Sequence, residues 1–336
     1  MRLGTAGRLP VIVATLVGLA LFGYVVDIAS HADLLGGLGT VILQLGWLIL
    51  LLAIPYFVLR AITWHLLLRQ VGVEPPLRQT VAAFCAGELT KSLPLGAYLE
   101  SYAIARIEQL GERGMVAAAV ATTGLDVSIG AVTFLVAMVV GVPGNGWVRL
   151  VLAGIAGAWI VLYLLIWLGI RWRKPTSALG RIVAEAAESA RRLVTPTLLR
   201  PVATTVAYLA IYVLVLWLIL DALGLGSLGI GAAVTTVVMT SLVNVILPIP
   251  IELGITEISG VGILTTFGVE PREAAVVMLG YRIATTGSLT IVVLTTLAYL
   301  RGAYLPQPAR RGTEAVSGSS PRAVEDLSAD HGHPDR

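Results

Sequence analysis

Residues 229–268 read GIGAAVTTVVMTSLVNVILPIPIELGITEISGVGILTTFG. The stretch is apolar enough for a bilayer, yet Leu247-Pro248-Ile249-Pro250 interrupts it, and Glu252 and Glu257 follow directly. Proline lacks the N–H that a helix interior needs, so neither arm reads as a comfortable crossing. The expectation is a re-entrant hairpin, two short helices that enter the bilayer and turn back. Such a break is tolerated only where the open backbone is buried in protein or lines a cavity. Residues 80–110 repeat the form around Leu93-Pro94-Leu95. Six further apolar runs surround the two, at 9–26, 39–59, 115–142, 147–170, 202–223 and 274–299. Each is near the ~20 residues that cross a ~30 Å hydrocarbon layer. The fold class is therefore an all-α polytopic membrane protein, with about six transmembrane helices plus two re-entrant helical hairpins.

Composition points the same way. Of 336 residues, 57% are hydrophobic and 13% charged, against roughly 25% charged in a soluble chain. An ordinary soluble enzyme and a disordered polymer are both excluded, and Cys85 alone supplies no disulfide framework. The net charge of +3 is small and sits at loops, so nucleic acid is not a predicted partner. The run after Arg2 and Arg8 lacks a clear small-x-small cleavage site and is read as a retained first helix.

Cytoplasmic loops retain Lys and Arg. With the N-terminus inside, 19 of the 23 basic residues fall on the inner side, Arg60 among them, and only Arg149 and Arg272 fall outside. Both termini are thus expected in the cytoplasm of a bacterial inner-membrane protein. The connector 171–200 holds Leu179, Ile182, Val183, Ala186, Ala190, Leu193 and Val194 at helical spacing. It is expected to be an amphipathic helix whose basic residues grip anionic lipid, or a connector whose apolar stripe docks on the bundle. Residues 305–336 carry nine charges among Pro, Ser and Gly and are expected to form a disordered cytoplasmic tail after a membrane domain at 1–304.

The order span, span, broken hairpin, span occurs twice, as 9–142 and 147–300. Leu93-Pro94 corresponds to Leu247-Pro248, Glu100 to Glu257, Gly111 to Gly268, Ala117-Ala118 to Ala274-Ala275, and Asp126 to Arg282, at offsets of 154 to 157. Each unit crosses three times, so the second lies inverted relative to the first, a plan that transporters use with the substrate site near the midplane.

Ionisable side chains at membrane depth are costly and point to function. They are Glu88, Lys91, Glu100, Asp126, Glu252, Glu257 and Arg282, with Asn244 adding a neutral polar group. Asp126 and Arg282 are candidates for a structural ion pair between the halves or for a direct role in binding or gating. Glu88 and Lys91, three apart, are placed to neutralise one another. Five acids against two bases leave a surplus of three negative charges, so protonated carboxylates or a bound cation are expected. The four histidines form no zinc cluster with Cys85, and neither a G-x-x-x-x-G-K loop nor a G-x-S-x-G elbow occurs. No catalytic residue, metal or cofactor is predicted.

Arg60-Ala61-Ile62-Thr63-Trp64-His65-Leu66-Leu67-Leu68-Arg69-Gln70-Val71-Gly72, Leu93-Pro94-Leu95-Gly96, Gly254-Ile255-Thr256-Glu257-Ile258-Ser259-Gly260-Val261-Gly262, and Gly268-Val269 leading to Gly280-Tyr281-Arg282 together resemble the flippase-like membrane region of lysylphosphatidylglycerol synthases. The resemblance covers most of 40–300 and implies movement of a lipid or lipid-linked head group between leaflets. Two departures bound it. Ala97-Tyr98-Leu99-Glu100-Ser101 follows Gly96 without the Arg usual there. Only a short tail follows Tyr304, so synthesis of a lysyl lipid is not expected. The leading expectation is a non-enzymatic lipid flippase working by alternating access, with membrane lipids as its partners. An ion-coupled carrier of a small solute and a non-catalytic membrane partner of a lipid-modifying enzyme, glycosyltransferase or synthase remain the alternatives.

Overall fold

The computed structural model describes residues 5–30, 34–91, 96–140, 178–193, 199–246 and 254–304. Among these, every regular element is helical. In chain order they are α1 (Thr5–Ser30), α2 (Leu34–Gln70), α3 (Leu77–Thr90), a 3₁₀ turn Gly96–Tyr98, α4 (Leu99–Ile107), α5 (Glu112–Val140), α6 (Ala178–Leu193) and α7 (Leu199–Ala222). A 3₁₀ turn Gly226–Leu228, α8 (Gly229–Ile246), α9 (Ile255–Thr266), α10 (Pro271–Arg282), a π-helical turn Ile283–Gly287 and α11 (Ser288–Tyr304) follow. The packed unit is Met1–Leu300, and Arg301–Arg336 forms a unit of its own. The expected span 147–170, Leu93-Pro94-Leu95, Glu252 and the tail 305–336 lie outside the described residues.

Among the described residues, five segments are long and apolar enough to cross a membrane: Gly36–Gln70, Glu112–Ala137, Leu199–Ala222, Gly226–Asn244 and Pro271–Leu300. The protein is accordingly a multi-pass helical membrane protein. Two expectations change. The second run was expected over 39–59, but Ala61-Ile62 and Leu66-Leu67-Leu68 carry the helix on to Gln70. Arg60 therefore sits in the protein interior, 4% exposed, and not in an inner loop. The first arm of the second broken stretch is also longer than expected, since α8 follows its 3₁₀ turn without a gap and its interruptions are uncharged Thr, Ser and Asn. In the first stretch both arms do fall short: α3 has 14 residues and α4 has nine, about 21 Å and 14 Å at ~1.5 Å per residue.

Two cores result, and α2 runs through both. Its first half, with Val41 and Ile49, packs with Val215, Leu216, Ile219 and Leu220 of α7 and with buried residues of α8, α9 and α10. Its second half, with Phe57, Ala61, Trp64 and Leu68, packs against Phe84 of α3, Ile104 of α4 and Ala118, Ala121 and Leu125 of α5. A smaller cluster joins Tyr56 to Tyr208, Leu209 and Val132. The handover between cores falls at Tyr56 to Arg60, one turn of helix directly after Pro55.

The amphipathic connector is α6. It packs against α5, with Leu193 Cδ1 lying over Gly124, while Ile182 and Val183 remain exposed.

Candidate functional site

Tyr56 and Arg60 lie four residues apart on one face of α2, where side chains stack one above the other. Arg60 Nη1 donates to Tyr56 Oη at 3.0 Å and meets Glu88 Oε1 of α3 at 2.9 Å. The side chains of Arg60 and Glu88 are 5% and 4% exposed. The guanidinium also stands 5.8 Å from the Phe84 ring centroid, a range at which a cation is attracted to the ring face. Glu88, expected to balance Lys91, also pairs with Arg60 through Oε1. Lys91 closes the C-terminus of α3, where the helix dipole favours a cation.

Glu100 is in the first turn of α4 and is 4% exposed. Its Oε1 is 3.0 Å from Thr122 Oγ1 of α5. Thr122 also receives a hydrogen bond from Trp64 Nε1 at 3.1 Å and lies 2.7 Å from Ser101 Oγ. The carboxylate rests against Gly87, where a Cβ would come within 2.5 Å of Oε2; only a glycine lets α3 and α4 close over it. Glu88, Arg60 and Asp126 all lie near enough to act on Glu100 electrostatically. Asp126 itself is exposed on α5.

The second half builds a different arrangement. Glu257, fully buried, is in the first turn of α9. Its Oε2 accepts the backbone N–H of Gly254 at 2.6 Å, so it caps the helix whose positive end it occupies. Its Oε1 is 3.2 Å from Arg282 Nε at the end of α10. A carboxylate beside Arg282 is thus Glu257, where the sequence had weighed Asp126 as the partner. Gly254 has φ +86°, and a Cβ there would strike the backbone of Gly18 and Phe22 in α1, so the turn requires glycine twice over. Asn244 Nδ2 donates to Thr256 Oγ1 at 2.9 Å, tying the end of α8 to the start of α9 on either side of the Pro248-Ile249-Pro250 segment.

Tyrosines connect these groups. Tyr56 stacks on Tyr212 of α7 with ring centroids 4.3 Å apart, and Tyr212 meets Tyr281 edge-on at 6.0 Å. Tyr281 directly precedes Arg282. Arg60, Tyr56, Tyr212, Tyr281 and Arg282 therefore form one continuous path between two buried Arg–Glu pairs. Arg60 Nε and Tyr208 Oη, both buried, have no hydrogen-bond partner among the described residues. Immediately after Arg282 the backbone widens into a π-helical turn, a distortion that occurs often at functional sites. Among the described residues no three His, Cys, Asp or Glu side chains come together to hold a metal.

The sequence singled out Glu88, Glu100, Asn244, Glu257 and Arg282 in this layer but missed Arg60 and the tyrosines. A signal existed: Tyr56 and Tyr212 are 156 residues apart, the offset that relates Asp126 to Arg282.

The family model for the transmembrane region of lysylphosphatidylglycerol synthase matches residues 11–309. The chain belongs to that family. Comparison with curated proteins and with solved structures returns no match. The match extends beyond the 40–300 on which the resemblance rested, and it includes every residue of the layer just described. In this member of the lysylphosphatidylglycerol synthase transmembrane family, the polar layer joins both halves of the matched region.

Proposed function

We propose that this family member is a lipid flippase: it moves a phospholipid or lipid-linked head group between leaflets by alternating exposure of the polar layer. The observation that carries the reading is the layer itself. One fully buried and one partly buried Arg–Glu pair, linked by three tyrosines, lie within the interior of a protein built for lipid. Burying such pairs costs more than packing hydrocarbon in their place, so their presence favours a function that needs polar groups at depth.

The element order supports an inverted repeat. The sequence α2, α3, α4, α5 runs long, short, short, long, and α7, α8, α9 followed by α10 and α11 matches it in the outer long helices and in a short helix before the last one, with α8 the longer counterpart of α3. Glu100 and Glu257, related by that repeat, each occupy the first turn of the second short helix. The two short arms α3 and α4 support re-entry in the first half. The family, named for a lipid synthase, favours a lipid over a soluble solute. Adding Arg60 to the residues counted on the sequence changes the charge balance: five acids against Arg60, Lys91 and Arg282 leave a surplus of two negative charges, and the case for a dedicated metal-cation carrier weakens. We place both termini in the cytoplasm of a bacterial inner membrane, because the basic bias survives the removal of Arg60, and we assign α6 to the inner leaflet surface. Transport without turnover is the proposed activity, with lipids as the partners.

Leaflet exchange of fluorescent phospholipids in vesicles containing the full chain tests the reading. Exchange faster than in empty vesicles for at least one head group is expected, and it should fall when Arg60→Gln and Glu257→Gln are introduced. No acceleration for anionic, zwitterionic or cationic head groups would refute it.

A further inference from the structure

Two helical runs pass from one large core to the other. In α2, Ile49 packs in the first core and Phe57 in the second. In the run from α10 to α11, Tyr281 and Ala284 pack in the first core, whereas Leu289, Val292 and Val293 pack in the second. Among the described residues no other run contributes to both. Each run is interrupted where it passes. Pro55 stands inside α2 just before Phe57, and because proline has no N–H it leaves the carbonyl of Leu51 outside the helical ladder. The π-helical turn Ile283–Gly287 separates α10 from α11. That turn touches α2, and Leu289 just beyond it packs in the cluster of Tyr56, the neighbour of Pro55. The two interruptions therefore lie side by side. Helices bend at prolines and π-bulges rather than elsewhere along their length.

The contacts sort themselves by the same division. Arg60–Glu88 joins the second half of α2 to α3, both in the second core, and Glu257–Arg282 joins α9 to α10, both in the first. The following contacts cross the division, and they are neutral. Thr63 Oγ1 lies 2.7 Å from Thr204 Oγ1 of α7, and Ser128 Oγ of α5 lies 3.2 Å from Thr205 Oγ1. Tyr56 stacks on Tyr212. Phe134 and Ala137 of α5 pack with Val238, Met239 and Leu242 of α8. Separating a buried ion pair is costly, whereas a neutral hydrogen bond contributes little net stability, so the boundary is built from the contacts that part most easily.

We infer that Pro55 and the turn Ile283–Gly287 form a paired hinge. About it, α3 to α6, α11 and the second half of α2 swing as one body against α1, α7 to α10 and the first half of α2. Both Arg–Glu pairs ride intact within their bodies, and the α5–α8 contact at Ala137 opens. Use of this motion to expose the polar layer to lipid rests on the flippase reading; the motion itself does not.

Cysteine labelling of the full chain in lipid nanodiscs reads the opening. Ala137 is 6% exposed at the boundary, and the native Cys85 is 0% exposed inside the second core. In Ala137→Cys, a water-soluble maleimide should modify position 137 at least about tenfold faster than Cys85, each rate being referred to the unfolded chain, because a local opening exposes the boundary and leaves the core closed. Deleting Thr286 removes the extra residue of the π-helical turn and joins α10 to α11 with both flanks in phase. Pro55→Ala restores the missing N–H. Each change should slow labelling at 137 by about tenfold and leave Cys85 as it was. Rapid labelling of Cys85 marks a variant that has not folded, and the other variant then decides. Equal rates at 137 and Cys85 overturn the hinge, and so does a rate at 137 that stays the same in either folded variant, whatever lipid exchange shows. Labelling that follows the expected pattern in a protein that exchanges no lipid head group upholds the hinge and overturns the flippase reading alone.

Discussion

Replacing Arg60 by methionine removes the guanidinium and keeps the stem. Arg60 Nη1 serves two acceptors, Glu88 Oε1 at 2.9 Å and Tyr56 Oη at 3.0 Å, and both charged side chains are at most 5% exposed. Loss of the cation leaves Glu88 in the interior with its charge uncompensated, a change that costs about 3–5 kcal/mol. Glu88→Met should cost a similar amount for the converse reason. The double variant should recover most of the loss, because exchanging a whole buried pair for packed apolar groups is often neutral or stabilising. The cycle is read from unfolding of the full chain in bicelles, where each single variant should shift the folding equilibrium by roughly a hundredfold to a few thousandfold. Arg113→Ala is the internal control. It breaks an ion pair of the same 2.9 Å length, but Arg113 is 89% exposed, so the effect should stay below about 1 kcal/mol. If the double variant is no more stable than either single one, or if the single variants match Arg113→Ala, the account of a buried and coupled pair is wrong.

Tyr212→Leu should cost about 1–3 kcal/mol, since it removes a stacked and an edge-on ring contact, each worth ~0.5–1.5 kcal/mol beyond area burial. Tyr212→Phe keeps both rings and loses only the hydroxyl's hydrogen bond with Tyr56, worth about 1 kcal/mol, so it should melt closer to the wild type than Tyr212→Leu in the same assay. Gly254→Ala forces an alanine to φ +86° and against the α1 backbone; the dihedral alone costs about 1–2 kcal/mol, so a clear fall in thermal midpoint is expected, and an unchanged midpoint would contradict the close approach. Asn244→Ala deletes a neutral hydrogen bond to Thr256 worth about 1 kcal/mol, and it should slow lipid exchange more than it lowers stability.

The apolar runs were legible because a bilayer demands length and hydrophobicity from each span separately, and those are local properties. Glu100, Asn244, Glu257 and Arg282 were legible for the same reason: a polar residue in such a run is conspicuous wherever it finally packs. Arg60 was not. On the sequence it resembles the basic residues that end a span, and only the apolar continuation to Leu68 argues otherwise. The tyrosines escaped notice because an aromatic in an apolar run looks like ordinary core. Gly87 and Gly254 gave no sign of which neighbour required them.

By itself, then, the sequence determined that this chain is a helical membrane protein with two proline-broken stretches, and which few residues could bring polarity to its interior. Pairing was decided only in three dimensions. Arg282 met Glu257 where the sequence also allowed Asp126, and Glu88 met Arg60 where the sequence offered Lys91. Hydropathy is summed along a chain, whereas a buried charge is stabilised by whichever opposite charge lies within a few ångströms, and that distance is set by how α2, α3, α9 and α10 pack.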